Sequence, residues 1–148
     1  MKAESQASPN SLAVHVGEKL STAAEIAISI IVKEAVLAAR EDKRDMLRAA
    51  ASSIKGVIRA GGSGGADIAG VTKVALNSAV DVCVSAGCDR VATFSAVRKA
   101  SIEIADVIGG AKGGIVRKMV EGVMRAAAAI EDVEGHSQEA HAIRKEHS

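Results

Sequence analysis

The residues of this 148-residue chain best placed to do chemistry are basic, and they gather around a run of glycines. Arg98, Lys99, Lys112, Arg117 and Lys118 surround Gly109-Gly110-Ala111-Lys112-Gly113-Gly114. A glycine run that opens a helix offers unbonded backbone N–H groups and the positive end of the helix dipole, and both favour an anion. Lys112 and the N–H groups of Gly113 and Gly114 are therefore the expected centre of an anion-facing edge, completed by Arg98, Lys99, Arg117 and Lys118. The phosphate-loop patterns themselves are absent. A Walker loop needs Gly-Lys followed by Ser or Thr, whereas Lys112 stands between Ala111 and Gly113. The sister run, Gly61-Gly62-Ser63-Gly64-Gly65-Ala66-Asp67, has Asp67 where a dinucleotide fingerprint has its third glycine, and no strand precedes it.

Other reactive side chains are scattered. His136 and His141 lie five residues apart, near Glu139 and His147. That spacing turns two imidazoles about 140° apart on a helix, whereas a shared metal wants a spacing of four. Cys83 and Cys88, also five apart, match no zinc or redox spacing and are expected as small packing residues in a reducing compartment. Asp81, Glu103 and Asp106 stand singly, without the Glu-x-x-His motif of a di-metal site. No G-x-S-x-G elbow positions a serine. With no nucleophile, base or metal set to name, neither an enzyme activity nor a cofactor nor a metal is expected.

Composition narrows the function further. Hydrophobic residues make up 48% of the chain, mostly Ala, Val and Ile, which is ample for a core. Aromatics make up 1%, the single Phe94, so stacking platforms for single-stranded nucleic acid are nearly excluded and a conventional ligand pocket is disfavoured. Charge is uneven. Residues 1–42 carry four positive and six negative side chains, 43–125 carry thirteen and seven, and 126–148 carry two and five. A basic middle between acidic ends admits binding to nucleic acid or an anionic surface. It equally admits neighbouring molecules that complement each other. The segment Met1–Asn10 is polar, not a signal peptide. The most apolar run, Ala23–Ala39, is short and interrupted by Glu25, Lys33 and Glu34, so no transmembrane segment is expected. A cytoplasmic location follows as an expectation.

The elements that must carry these residues are helices. Each interior glycine costs a helix about 0.8–1 kcal/mol against alanine, and four within five residues roughly 3–4 kcal/mol. Both glycine runs are therefore expected as tight joints between helices, and small enough to lie against a neighbour. Gly17, Gly65 and Gly113 recur every 48 residues. Met46-Leu47-Arg48-Ala49-Ala50 has counterparts at Ala96–Ala100 and Ala142–Lys145. These landmarks suggest three units of two helices, about 17–64, 65–112 and 113–148. The expected helices are Leu20–Ala39, Asp45–Ala60, Asp67–Ser85, Asp89–Ile108 and Gly114–Val133, with a short last one over Ser137–Lys145 after Gly135. Asp89 suits an N-cap and Gly87 a C-cap.

Apolar residues recur at helical spacing. Val116, Met119, Val120, Val123, Ala127 and Ile130 form one stripe, and Val91, Phe94, Val97, Ser101, Ile104 and Ile108 another. The helix from Asp67 is apolar on two sides, which marks a helix buried between neighbours. The segment Ile26, Ile28, Ile30, Ile31, Val32, Val36 and Leu37 is similarly rich.

The expected fold is all-α: tandem helical hairpins, five to six helices, forming a short solenoid or compact bundle over residues 17–134. Residues 1–16 are expected as a frayed tail, and 135–148 as a polar tail or the short last helix. The layout resembles helical-hairpin repeat proteins in general, and the Ala-rich texture resembles coat proteins of lipid or polymer granules; no motif carries either. The expected function is a non-enzymatic scaffold or assembly protein that works as a homo-oligomer or by holding a protein partner. The alternatives are an amphipathic coat on a granule surface, or a weak nucleic-acid or phosphate binder through the basic middle.

Overall fold

The computed structural model describes residues 20–42, 44–65 and 67–146, with 130–146 as backbone only. The expected tail 1–16 and Gly17 lie outside the described residues. Five helices account for nearly all of the rest: α1 (Thr22–Glu41), α2 (Met46–Gly64), α3 (Ile68–Ser85), α4 (Arg90–Ile108) and α5 (Gly110–Glu146). No strand occurs among the described residues.

Four helix starts are set by short polar side chains that accept otherwise unpaired N–H groups. Ser21 Oγ accepts from Ala24 N at 3.1 Å and Asp45 Oδ1 from Leu47 N at 3.0 Å. Asp67 Oδ1 accepts from Gly70 N at 3.1 Å and Asp89 Oδ2 from Ala92 N at 2.9 Å. The first glycine run does separate two helices, but later than its composition suggests. α2 continues through Gly61, Gly62 and Gly64 and stops at Gly65, whose φ of 71° is left-handed. The second joint is the single residue Gly109, with φ 65° and ψ −176°. That region is essentially glycine's alone. α5 begins at once, at Gly110, so Gly113 and Gly114 lie inside the helix and not before it. α5 also continues through Gly135 to Glu146; the expected break and separate last helix are not there. One glycine with good helix formers on both sides costs only about 1 kcal/mol, too little to end a long helix.

Short connections make successive helices antiparallel neighbours. Substantial packing joins each helix to the next and to the next but one. α1, α3 and α5 therefore form one row and α2 and α4 a second, laid against it as a compact all-α bundle. α3 is the middle of the larger row and touches all four other helices. Its two apolar sides are used accordingly: Ile68, Val71, Ala75, Leu76, Ala79, Val82 and Cys83 are all buried. α3 is the one helix among the described residues long and apolar enough to cross a membrane, and half of that window is buried in the bundle. Val32 and Val36 of α1, Ile54 and Ile58 of α2, Val97 and Ile104 of α4, and Val116 and Val120 of α5 complete the core. Buried hydroxyls bond back into their own helices, Thr72 Oγ1 to Ile68 O at 2.7 Å and Ser101 Oγ to Val97 O at 2.8 Å. Both are satisfied in this way, whereas the buried Ser53 Oγ of α2 has no such partner among the described residues.

α1 departs from the sequence reading. It is rich in isoleucine and valine, as α3 is rich in valine, yet it sits at the end of its row and buries only one stripe, Val32, Val36 and Ala39. Ile26, Ile30, Ile31 and Leu37 are 55%, 48%, 53% and 43% exposed.

Candidate interaction surfaces

The two glycine runs meet. Lys112 Nζ donates to Gly62 O at 2.6 Å, so a side chain from the second run caps the carbonyl end of α2. A side chain on Gly62 would meet Ile108 Cδ1 at 3.3 Å, and one on Gly61 would meet Val71 Cγ1 at 3.1 Å. At Gly113 a Cβ would stand 2.5 Å from the carbonyl oxygen of Ala105. At Gly113 two helix backbones press together, and at Gly61 and Gly62 side chains of α3 and α4 pack onto the α2 backbone.

That junction takes up part of the expected anion-facing edge. Lys112 is turned onto Gly62 O. Arg117 is ion-paired with Asp106 on α4. The Gly113 N–H donates to Gly109 O at 2.9 Å, because the helix has already begun, and Gly113 is buried. Gly114, Arg98, Lys99 and Lys118 are exposed. Lys118 follows Arg117 by one residue and so points about 100° away from it around α5. Lys99 instead contributes to the field on Glu103, whose carboxyl is held below its ordinary range chiefly by hydrogen bonding to Lys55 and by its charge.

A second surface runs along the outer side of α3, between α1 and α5. It holds two adjoining clefts of about 530 and 730 Å³. Lys73, Asn77 and Met119 line both. The first is floored by Val80, Val84 and Val123, with Phe94 at one side under the Arg90 guanidinium, 5.6 Å from the ring centroid. Scarce aromatics argue against such clefts. They arise here because Gly122, Ala126 and Ala127 on α5 are too small to fill the space beside α3. Asp81, at the cleft edge, is paired with Lys33 Nζ at 3.5 Å. Among the described residues no three His, Cys, Asp or Glu side chains converge. The Cys83 thiol is buried, and desolvation, followed by Cys88, raises its pKa to about 12, so it stays protonated and unreactive at neutral pH. His136 and His141 lie where only backbone is described, and His15 and His147 lie outside the described residues.

The third surface is the outward side of α1. Ala27, Ile30, Glu34, Leu37 and Glu41 recur at alternating spacings of three and four and are all exposed, with Ile26 and Ile31 on the flanks. Such a seam is what one helix presents to another. The sequence signal for it was the excess of isoleucine in α1; periodicity alone does not say which side faces the core.

The chain matches no protein-family model, and no curated protein or solved structure is significantly similar to it.

Proposed function

We propose that this protein is a non-enzymatic helical scaffold that works by assembly, using the outward seam of α1 to hold another protein chain. One observation carries the reading: four large aliphatic side chains on a single helix, Ile26, Ile30, Ile31 and Leu37, stand about half exposed. Scattered exposed aliphatics are ordinary on a soluble surface, but a contiguous stripe of them at helical spacing marks an interaction site. Covering such side chains yields roughly 25 cal/mol per Å² of apolar area, enough for a short helix-on-helix interface to contribute several kcal/mol. The uniform Ala/Val/Ile packing suits this work, since small side chains let helices approach closely.

The test is sedimentation of the full chain over a wide concentration range, with and without the double substitution Ile30→Asp/Leu37→Asp. Concentration-dependent association that the double substitution abolishes, with helicity kept, supports the reading. A chain that stays monomeric alone and in the presence of cell extract, and behaves identically with both aspartates, refutes it.

A further inference from the structure

The seam on α1 has a counterpart at the opposite end of the same row. α5 is the last helix of the row α1–α3–α5, and its exposed side carries Ala111, Ile115, Lys118, Gly122, Arg125 and Ala129, again at spacings of three and four, with Gly122 at the lip of the cleft beside α3 and Glu121 exposed next to Lys118 and Arg125. The two seams differ in charge. The only ionic residues on the α1 seam are Glu34 and Glu41; the only ones on the α5 seam are Lys118 and Arg125. Each pair is seven residues apart, two helical turns or about 10.5 Å. None of the four has an ion-pair partner among the described residues.

Resting on the assembly reading above, we propose that the occupant of the α1 seam is α5 of a second copy, so that molecules stack head to tail and continue the row of helices. α1 and α3 point the same way, as do α3 and α5, because each pair is separated by one antiparallel helix. Continuing the row sets α1 of the next copy parallel to α5. Glu34 then faces Lys118 and Glu41 faces Arg125. Between the two charge pairs Leu37 falls on Gly122, where a side chain would meet nothing within 4 Å and the helix surface is open. Ile30 meets Ile115, and Ala27 meets Ala111. Leu37 thus meets an open glycine, the other two apolar pairs are alike in size, and unlike charges oppose at matched spacing, which is how helix pairs select partners. Because the two seams are different surfaces, the contact is heterologous and does not close on itself as a dimer; it extends or forms a ring.

The experiment uses charge exchange in the full chain. Glu34→Lys/Glu41→Lys makes both seams basic, and Lys118→Glu/Arg125→Glu makes both acidic. Sedimentation should show each double variant monomeric at low salt where the wild type forms species larger than dimers. Mixing the two variants in equal amounts should restore large species, and so should combining all four substitutions in one chain. All four positions are exposed, and helicity by far-UV circular dichroism confirms that each variant folds. If Lys118→Glu/Arg125→Glu assembles like the wild type, α5 is not the partner, and the proposal fails in favour of an α1–α1 pair. If a different protein from the extract is required, or if the wild type is monomeric throughout, with the seam covered by residues of its own chain, it fails as well. Loss of assembly with Ile30→Asp/Leu37→Asp but with no charge variant leaves the scaffold reading standing and overturns only the head-to-tail contact.

Discussion

Replacing Gly113 and Gly114 separately by alanine tests the idea that the glycine runs are packing surfaces. The two positions are adjacent in α5 and neither has a positive φ, so helix propensity favours alanine at both by about 0.8–1 kcal/mol. Their surroundings differ. A Cβ at Gly114 meets nothing within 4 Å, whereas one at Gly113 stands 2.5 Å from Ala105 O. That oxygen belongs to the α4 backbone and has no rotamer by which to move aside, so α4 and α5 must part by about 1 Å. Overpacking of this kind costs about 1–3 kcal/mol. Propensity cancels in the comparison, so Gly113→Ala should be less stable than Gly114→Ala by that amount, and Gly114→Ala should exceed the wild type. At about 4 °C per kcal/mol for a chain of this size, the melting temperatures should differ by about 4–12 °C. Thermal unfolding followed by far-UV circular dichroism measures it. Equal melting temperatures, or Gly113→Ala above Gly114→Ala, would refute the close-approach account and return Gly113 to being a spacer.

Two titration experiments probe the interior and the surface. In the native protein a thiol reagent at pH 8 should label Cys88, which is half-buried, while Cys83 reacts only on unfolding; rapid labelling of both would contradict the burial of Cys83. The same thiol sets a sign for pH dependence. Its pKa is raised from 9.0 to about 12 in the fold, so its contribution is intact below pH 9 and is lost as pH rises toward 12. Cys83→Ala should make the stability curve flatter across that window, and an unchanged slope would argue against it. Glu103 runs the other way: its pKa is lowered by Lys55, so what the pair contributes is present above the ordinary glutamate range and fades as pH falls below it. A carboxyl-resolved NMR titration should place the Glu103 midpoint below those of other exposed glutamates, and Lys55→Met should return it to them. Because the pair is solvent-exposed, the accompanying change in stability should be slight.

The chain alone determined the helices. Their helical type and most of their starts follow from local chemistry, because an aspartate or serine caps N–H groups within its own turn, whereas the sequence left their number at five or six and Gly135 does not break α5. Asp89 and the apolar faces of α3 were legible for that reason. What glycine does beyond ending a helix was not. Gly61, Gly62 and Gly113 count as breakers by propensity, yet each lies within a helix, because an opposing Val71, Ile108 or Ala105 carbonyl occupies the space a side chain would need. Lys112 belongs to a basic cluster in sequence and to the end of α2 in space, fifty residues away. α1 and α3 are both rich in Val and Ile, and only the order of the row decided that α3 is flanked on both sides while α1 keeps Ile30 and Leu37 in water. Periodicity measures how much apolar surface a helix carries; how much of it is covered depends on how many neighbours it has, and that is a property of the assembled bundle.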